Sequence, residues 1–115
     1  MPLDHVALTV SDRDRSAAFY AEHFGLTQRV HDDEHLLILG DEDGSLLALS
    51  PGAPAAEALP RTNHFGFRLA GREDVLAARE RFRAAGVTEL EFQDDGPARV
   101  QVADPDGYRV EVYAF

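Results

Sequence analysis

Cysteine, lysine and tryptophan are absent from this 115-residue chain, and the absences close off several chemistries. Without cysteine there is no disulfide framework, thiol nucleophile, zinc ribbon or iron–sulfur cluster. Without lysine there is no Schiff base and no Walker-type phosphate lysine. Positive charge is scarce too. The 11 basic residues, all Arg, face 21 acidic ones, for a net charge of −10. That balance disfavours nucleic acid, whose phosphates are bound mainly by neutralising their charge. No apolar run approaches the roughly 18 residues of a membrane span, and no basic-plus-apolar leader is recognisable. A cytoplasmic protein with neither nucleic-acid nor membrane partners is expected. The remaining catalytic vocabulary is five His, the carboxylates, Arg, three Tyr and a few hydroxyls.

The chain reads as one unit written twice. Leu3 to Val10 is a β-rich run, and Ser11 and Asp12 can cap a helix over Arg13 to Phe24 that Gly25 closes. Strands are expected near Thr27 to Val30, Leu36 to Leu39 and Ser45 to Ser50. A proline-rich segment then reads as a linker. Past it the order returns: strand Asn63 to Leu69, helix Glu73 to Ala85 with Val75, Ala78, Phe82 and Ala85 on one face, and Gly86 as its cap. Strands Thr88 to Phe92, Arg99 to Ala103 and Arg109 to Tyr113 complete it. Matching D-x-D-G turns at 41–44 and 104–107 align the halves. Two copies are too few for a solenoid, so they must pack on each other or on a partner's copies.

Alternation along each strand sorts the polar residues by face. Val6, Leu8 and Val10 share the side that packs under the helix, and His5, Ala7 and Thr9 share the other. Phe65, Phe67 and Leu69 oppose His64, Gly66 and Arg68 in the same way. On the last strand Val110, Val112 and Ala114 oppose Arg109, Glu111, Tyr113 and Phe115. His5, His64 and Glu111 therefore all point away from the helices. Two His and one carboxylate on equivalent faces match a facial ligand set that leaves positions open on a divalent transition metal.

The βαβββ duplication, a strand histidine opening each half, LDHVALTVSD followed by SAAFYAEHFGL, and the ending DPDGYRVE resemble the vicinal oxygen chelate superfamily over residues 3 to 115. Glyoxalase I, fosfomycin-resistance transferases, bleomycin-resistance proteins and extradiol dioxygenases belong to it. The resemblance implies an α+β fold in which two βαβββ modules form a curved, cup-like mixed sheet with helices on the convex side. It implies a single domain over 1–115, with module one at 1–50, a linker at 51–62 and module two at 63–115. By analogy His5, His64 and Glu111 hold a divalent metal ion (Fe(II), Mn, Zn or Ni), and a homodimer is expected. One departure stands out. Four residues past Gly107 is Glu111, whereas four past Gly44 is Ala48. The second carboxylate of a four-ligand glyoxalase I is missing, and alanine neither binds a metal nor takes a proton. The stretch Thr88 to Asp95 is acidic and lacks lysine, unlike the phosphonate site of fosfomycin-resistance enzymes.

Tyr113 shares the face of Glu111 and either donates a proton to a bound oxygen or packs in the sheet with its hydroxyl on the backbone. Gln101 occupies the register of Ile38 and faces the same cavity as a neutral donor and acceptor. Arg68, Arg99 and Arg109 either hold a substrate carboxylate or pair with surface acids at strand ends. His31 and His35 bracket a solvated acidic turn, and His23 suits a helix C-terminus. The leading expectation is a metal-dependent enzyme acting on a small molecule that chelates through adjacent oxygens. It would be extradiol dioxygenase-like or a redox-neutral lyase or isomerase. The alternative is a bleomycin-resistance-type dimer that sequesters a small cationic compound without catalysis.

Overall fold

A computed structural model describes all 115 residues. The chain divides into two compact units, Met1–Ala56 and Glu57–Phe115, each a βαβββ module.

In the first module, strand β1 (His5–Val10) leads to helix α1 (Arg13–Phe24), followed by β2 (Gln28–Asp32), β3 (Leu37–Gly40) and β4 (Leu46–Pro51). The sheet order is β1-β4-β3-β2, with β1 and β4 parallel and the other pairs antiparallel. Helix α1 starts where Asp12 accepts the Arg15 N–H at 3.1 Å, and it stops at Gly25, whose φ of 72° few side chains tolerate. Its Ala17 and Tyr20 are buried, as are Val10, Leu37, Leu39, Leu47 and Leu49 on the sheet. Each buried Leu or Val contributes roughly 1.5–3 kcal/mol, which offsets the chain entropy lost on ordering.

The second module repeats the plan after a single 3₁₀ turn at Ala56–Ala58. It comprises β5 (Phe65–Arg68), α2 (Arg72–Ala84), β6 (Glu89–Gln93), β7 (Ala98–Ala103) and β8 (Arg109–Ala114). The order is β5-β8-β7-β6, with the one parallel pair at β5–β8. Val75, Ala78 and Phe82 of α2 are buried, as are Val100, Val102, Val110 and Val112. Ala85, expected on that face, lies beyond the last helical residue and is exposed. Strand ends also differ from the sequence reading by up to two residues. His64 precedes β5, and β1 begins at His5 because only from there does the parallel ladder with β4 run.

The D-x-D-G turns are built alike. Asp41 Oδ1 accepts from the N–H groups of Asp43 and Ser45 at 3.0 and 2.9 Å, and Asp104 Oδ1 accepts from Asp106 and Tyr108, both at 2.9 Å. Gly44 (φ 89°) and Gly107 (φ 92°) complete the reversals. Each turn sets the register of the strand after it. Neither helix is long and apolar enough to cross a membrane.

Candidate functional site

The second module carries a cleft of about 260 Å³, whose walls include His64, Glu91, Arg99, Gln101 and Glu111. Register explains the convergence. Glu111 of β8 lies opposite Gly66 of β5 on one side and Gln101 of β7 on the other, and Gln101 lies opposite Glu91 of β6. Directly paired residues share a sheet face, so these four positions form a row across the module. Arg61 and Thr62, just before β5, complete the lining.

Glu91 reaches this row through an irregularity. Strict alternation puts Glu89 and Glu91 on one face. The register slips between them, however, leaving Leu90 as an extra residue: Glu89 pairs with Val102 and Glu91 with Gln101. Glu89 consequently turns to the helix side, where Arg79 donates to it at 2.7 and 3.1 Å. Glu91 turns to the cleft.

His64 and Glu111 form the chemical centre. His64 Nδ1 is 2.8 Å from the Thr62 carbonyl oxygen. A carbonyl only accepts, so Nδ1 carries a proton, and Nε2 is the nitrogen left to present a lone pair when the ring carries no second proton. That Nε2 is 3.3 Å from Glu111 Oε2. Oε2 is buried and has no hydrogen-bond partner. The guanidinium nearest to it is that of Arg99, with Nη1 at 3.9 Å, beyond hydrogen-bonding range. A nitrogen lone pair and a carboxylate oxygen facing each other across 3.3 Å are held together by a cation between them, a proton or a metal ion. Metal–ligand bonds of about 2.0–2.2 Å, at angles between square and tetrahedral, separate N and O ligand atoms by about 2.8–3.6 Å. The pair fits a divalent ion by this test. A carbonyl accepting from the remote nitrogen is also the usual support of a metal-binding His. Gly66 matters here because a Cβ at that position would meet Glu111 Cγ at 2.7 Å.

The first module presents the same row with different chemistry. Ala7 lies opposite Ala48, and Ala48 opposite Ile38, where the second module has Gly66, Glu111 and Gln101. The register supports matching Ala48 to Glu111. Val30 is the extra residue of a corresponding bulge, which pairs His31 with Ile38. His31 Nε2 lies 2.8 Å from Asp33 Oδ2. His31, Asp33 and the backbone of His35 and Leu36 make a hydrogen-bonded turn, and these bonds, that from His31 foremost, hold the Asp33 carboxyl down at about 2. His5 is exposed, with Nδ1 2.9 Å from Asp4 Oδ1. This partner leaves Nε2 as the outward atom, as Thr62 does for His64. No three His, Asp or Glu side chains of the chain are gathered closely enough to hold an ion together.

The arginines divide between two places. Arg99 donates to Glu91 Oε1 at 3.2 Å, Arg61 lies 3.5 Å from the same oxygen, and Arg109 lies 3.7 Å from Oε2. The Arg99 hydrogen bond, with the charges of all three, holds the Glu91 carboxyl below the usual range. Arg109 also donates to Gln101 Oε1 at 2.9 Å. A guanidinium cannot accept, so the amide oxygen must face it and the two N–H groups of Gln101 are left for another acceptor. Gln101 is 1% exposed. Arg68 stands apart, its guanidinium 5.0 Å from the Phe115 ring centroid. Tyr113, opposite Arg68 in register and half-buried, also packs on Phe115, with ring centroids 5.6 Å apart. None of Arg68, Arg109 and Tyr113 lines the cleft. Glu91 and Arg61 escaped the sequence reading. One is placed by a bulge, and the other sits in a loop that no periodicity describes.

Comparisons with known proteins agree with this architecture. A possible glyoxalase from Bacillus cereus is 28% identical with a TM-score of 0.81, covering 97% of each chain. Lactoylglutathione lyase from Agrobacterium tumefaciens is 26% identical with a TM-score of 0.78, covering 98% of this chain and 92% of its own. The fosfomycin resistance protein FosX from Listeria monocytogenes, solved with Mn(II) and sulfate, has a TM-score of 0.81. It is 21% identical and covers 98% of this chain and 89% of its own, a likeness of fold. No curated protein matches. The sequence pattern of one family covers residues 2–112, nearly the whole duplication, and the chain belongs to that family, the glyoxalase/bleomycin resistance protein/dioxygenase superfamily.

Proposed function

We propose that this protein is a divalent-metal-dependent enzyme acting on a small molecule that offers two neighbouring oxygens, with His5, His64 and Glu111 as the metal ligands. The observation that carries the reading is the approach of His64 Nε2 to the buried, unpartnered Glu111 Oε2 at 3.3 Å. Similar folds include a Mn(II) complex, which supports a divalent ion among Fe(II), Mn, Zn and Ni. His5 is the third ligand in this proposal, since it stands in its module where His64 stands in the other and has its Nδ1 engaged, by the Asp4 carboxylate rather than a backbone carbonyl. When bound, the ion supplies Lewis acidity to oxygens that gain negative charge during reaction.

The chain's own residues supply the rest. Thr62 holds the His64 ring, and Gly66 leaves room for Glu111. Gln101, its oxygen taken by Arg109, offers N–H donors that orient a substrate oxygen. Tyr113, two residues past Glu111, is the proposed proton donor, and Arg68 and Arg109 the proposed electrostatic partners, for a substrate that extends past the cleft walls, which none of the three lines. Ala48 leaves no second carboxylate, so isomerisation by a carboxylate base of the four-ligand glyoxalase kind is excluded from the proposal. Lyase, other isomerase and dioxygenase-like reactions remain, and oxygen uptake with the substrate separates the last from the others. Sequestration of a cation fits poorly. The cleft carries Arg61 and Arg99, and no Phe, Tyr or Trp lines it.

The test is Mn(II) binding by electron paramagnetic resonance on untagged protein. The native chain is expected to bind one ion per site, and His5→Ala, His64→Ala and Glu111→Gln to weaken binding at least about tenfold each. Absence of binding, or binding untouched by these substitutions, overturns the reading. Light scattering tests the proposed homodimer, which should elute at twice the chain mass.

A further inference from the structure

The three guanidiniums gathered on Glu91 are more than the fold needs. Glu91 sits on β6, held in the cleft by the bulge at Leu90, and accepts or attracts Arg61, Arg99 and Arg109 with one carboxylate. One anion does not balance three cations. Arg99 extends its other nitrogen to 3.9 Å from Glu111 Oε2, so it stands between the two carboxylates of the cleft. We propose that Arg99 and Arg61 form a subsite for a carboxylate on the substrate, and that Glu91 occupies this subsite as an internal stand-in that the substrate carboxylate displaces or joins. The inference rests on the metal reading of His64 and Glu111 for the substrate's other end.

Several observations favour a small monoanion. The group already seated on these arginines is a carboxylate, held by one hydrogen bond from Arg99 and by the charges of Arg61 and Arg109. Around Glu91 alone, Arg61, Arg99 and Arg109 leave an excess of positive charge, which an added carboxylate offsets. The cleft volume of about 260 Å³ lies below the range for drug-sized ligands, so the molecule is small. The substrate class is therefore a compact carboxylic acid with two neighbouring oxygens elsewhere on its frame. In this arrangement Glu91 sets selectivity. It repels anions that do not engage the arginines strongly enough to replace it.

The experiment is titration calorimetry of the full chain with 3,4-dihydroxybenzoate and its neutral isostere 3,4-dihydroxybenzamide, with Mn(II) binding measured on the same samples. The diol supplies the neighbouring oxygens in both probes, so only the carboxylate differs. The native protein is expected to prefer the acid by about tenfold or more. Arg99→Gln and Arg61→Gln should each shrink that preference by about threefold or more, and Glu91→Gln should tighten the acid while leaving the amide unchanged. Arg61 is three-quarters exposed, so its substitution reports on binding without disturbing the fold. Inorganic phosphate is expected to compete weakly; competition stronger than that of benzoate would overturn the carboxylate assignment. A protein that binds Mn(II) but shows equal affinity for the two probes, or a preference indifferent to Arg61 and Arg99, overturns the subsite and leaves the metal reading standing. A preference that persists without Mn(II) binding supports the subsite and overturns the metal reading.

Discussion

Glu111 is flanked by Gly66 on one strand and Gln101 on the other, and these neighbours determine what its carboxylate can do. A methyl group at position 66 would meet Glu111 Cγ at 2.7 Å and its backbone oxygen at 3.3 Å. Gly66→Ala is therefore expected to push the carboxylate off its position. It should weaken Mn(II) binding by tenfold or more and cost about 1–3 kcal/mol in urea unfolding from overpacking. Glu111→Gln should behave differently. The native residue buries a charged oxygen without a hydrogen bond, an arrangement that costs stability when no cation is present. In chelator, Glu111→Gln is expected to raise the thermal midpoint; with Mn(II) added, the order of the two proteins should reverse. A midpoint lower than that of the native protein in chelator would show that Oε2 is better partnered than the geometry indicates.

At the scale of elements, helix α1 offers a test of how local sequence and packing share the work. Its start depends on Asp12, and Asp12→Ala is expected to cost about 1 kcal/mol through the lost N-cap. Ser16, on its buried face, has a hydroxyl without a hydrogen-bond partner. Ser16→Ala removes that group and gains helix propensity, so it should stabilise by about 1 kcal/mol, visible as a rise of a few degrees in the thermal midpoint. Both ends of α1 were legible in the sequence, because a capping acid and a glycine mark them and helical signals are local. The strand β6 was not legible in the same way. Its alternation places Glu89 and Glu91 together, and only pairing with β7 reveals the slip at Leu90 that sends one to Arg79 and the other to Arg99.

For the whole molecule, the charge balance sets the response to acid. The carboxyls of Asp33, Glu89, Glu91 and Asp94 are held below their ordinary range by hydrogen bonds, chiefly from His31, Arg79, Arg99 and Arg72 respectively. A lowered folded value means that the unfolded chain binds protons first. The stabilisation is then fully present above about pH 5 and is lost as pH falls through the folded values, for Asp33 to about 2. The urea midpoint is expected to be flat from neutral pH to about 5 and to fall steadily below 4, and Asp33→Asn should flatten the lowest part of that curve. A loss of stability centred near pH 6 would instead implicate the histidines. The sequence by itself determined the duplication, the helix limits, the D-x-D-G turns and, through their register, the mismatch of Ala48 with Glu111. These are short-range features, each written in a few adjacent residues. Tertiary structure decided the proton position on His64, the unpartnered oxygen of Glu111 and the gathering of Arg61, Arg99 and Arg109 on Glu91. Those depend on distances between strands far apart in the chain and on one extra residue in a ladder, which no periodicity records.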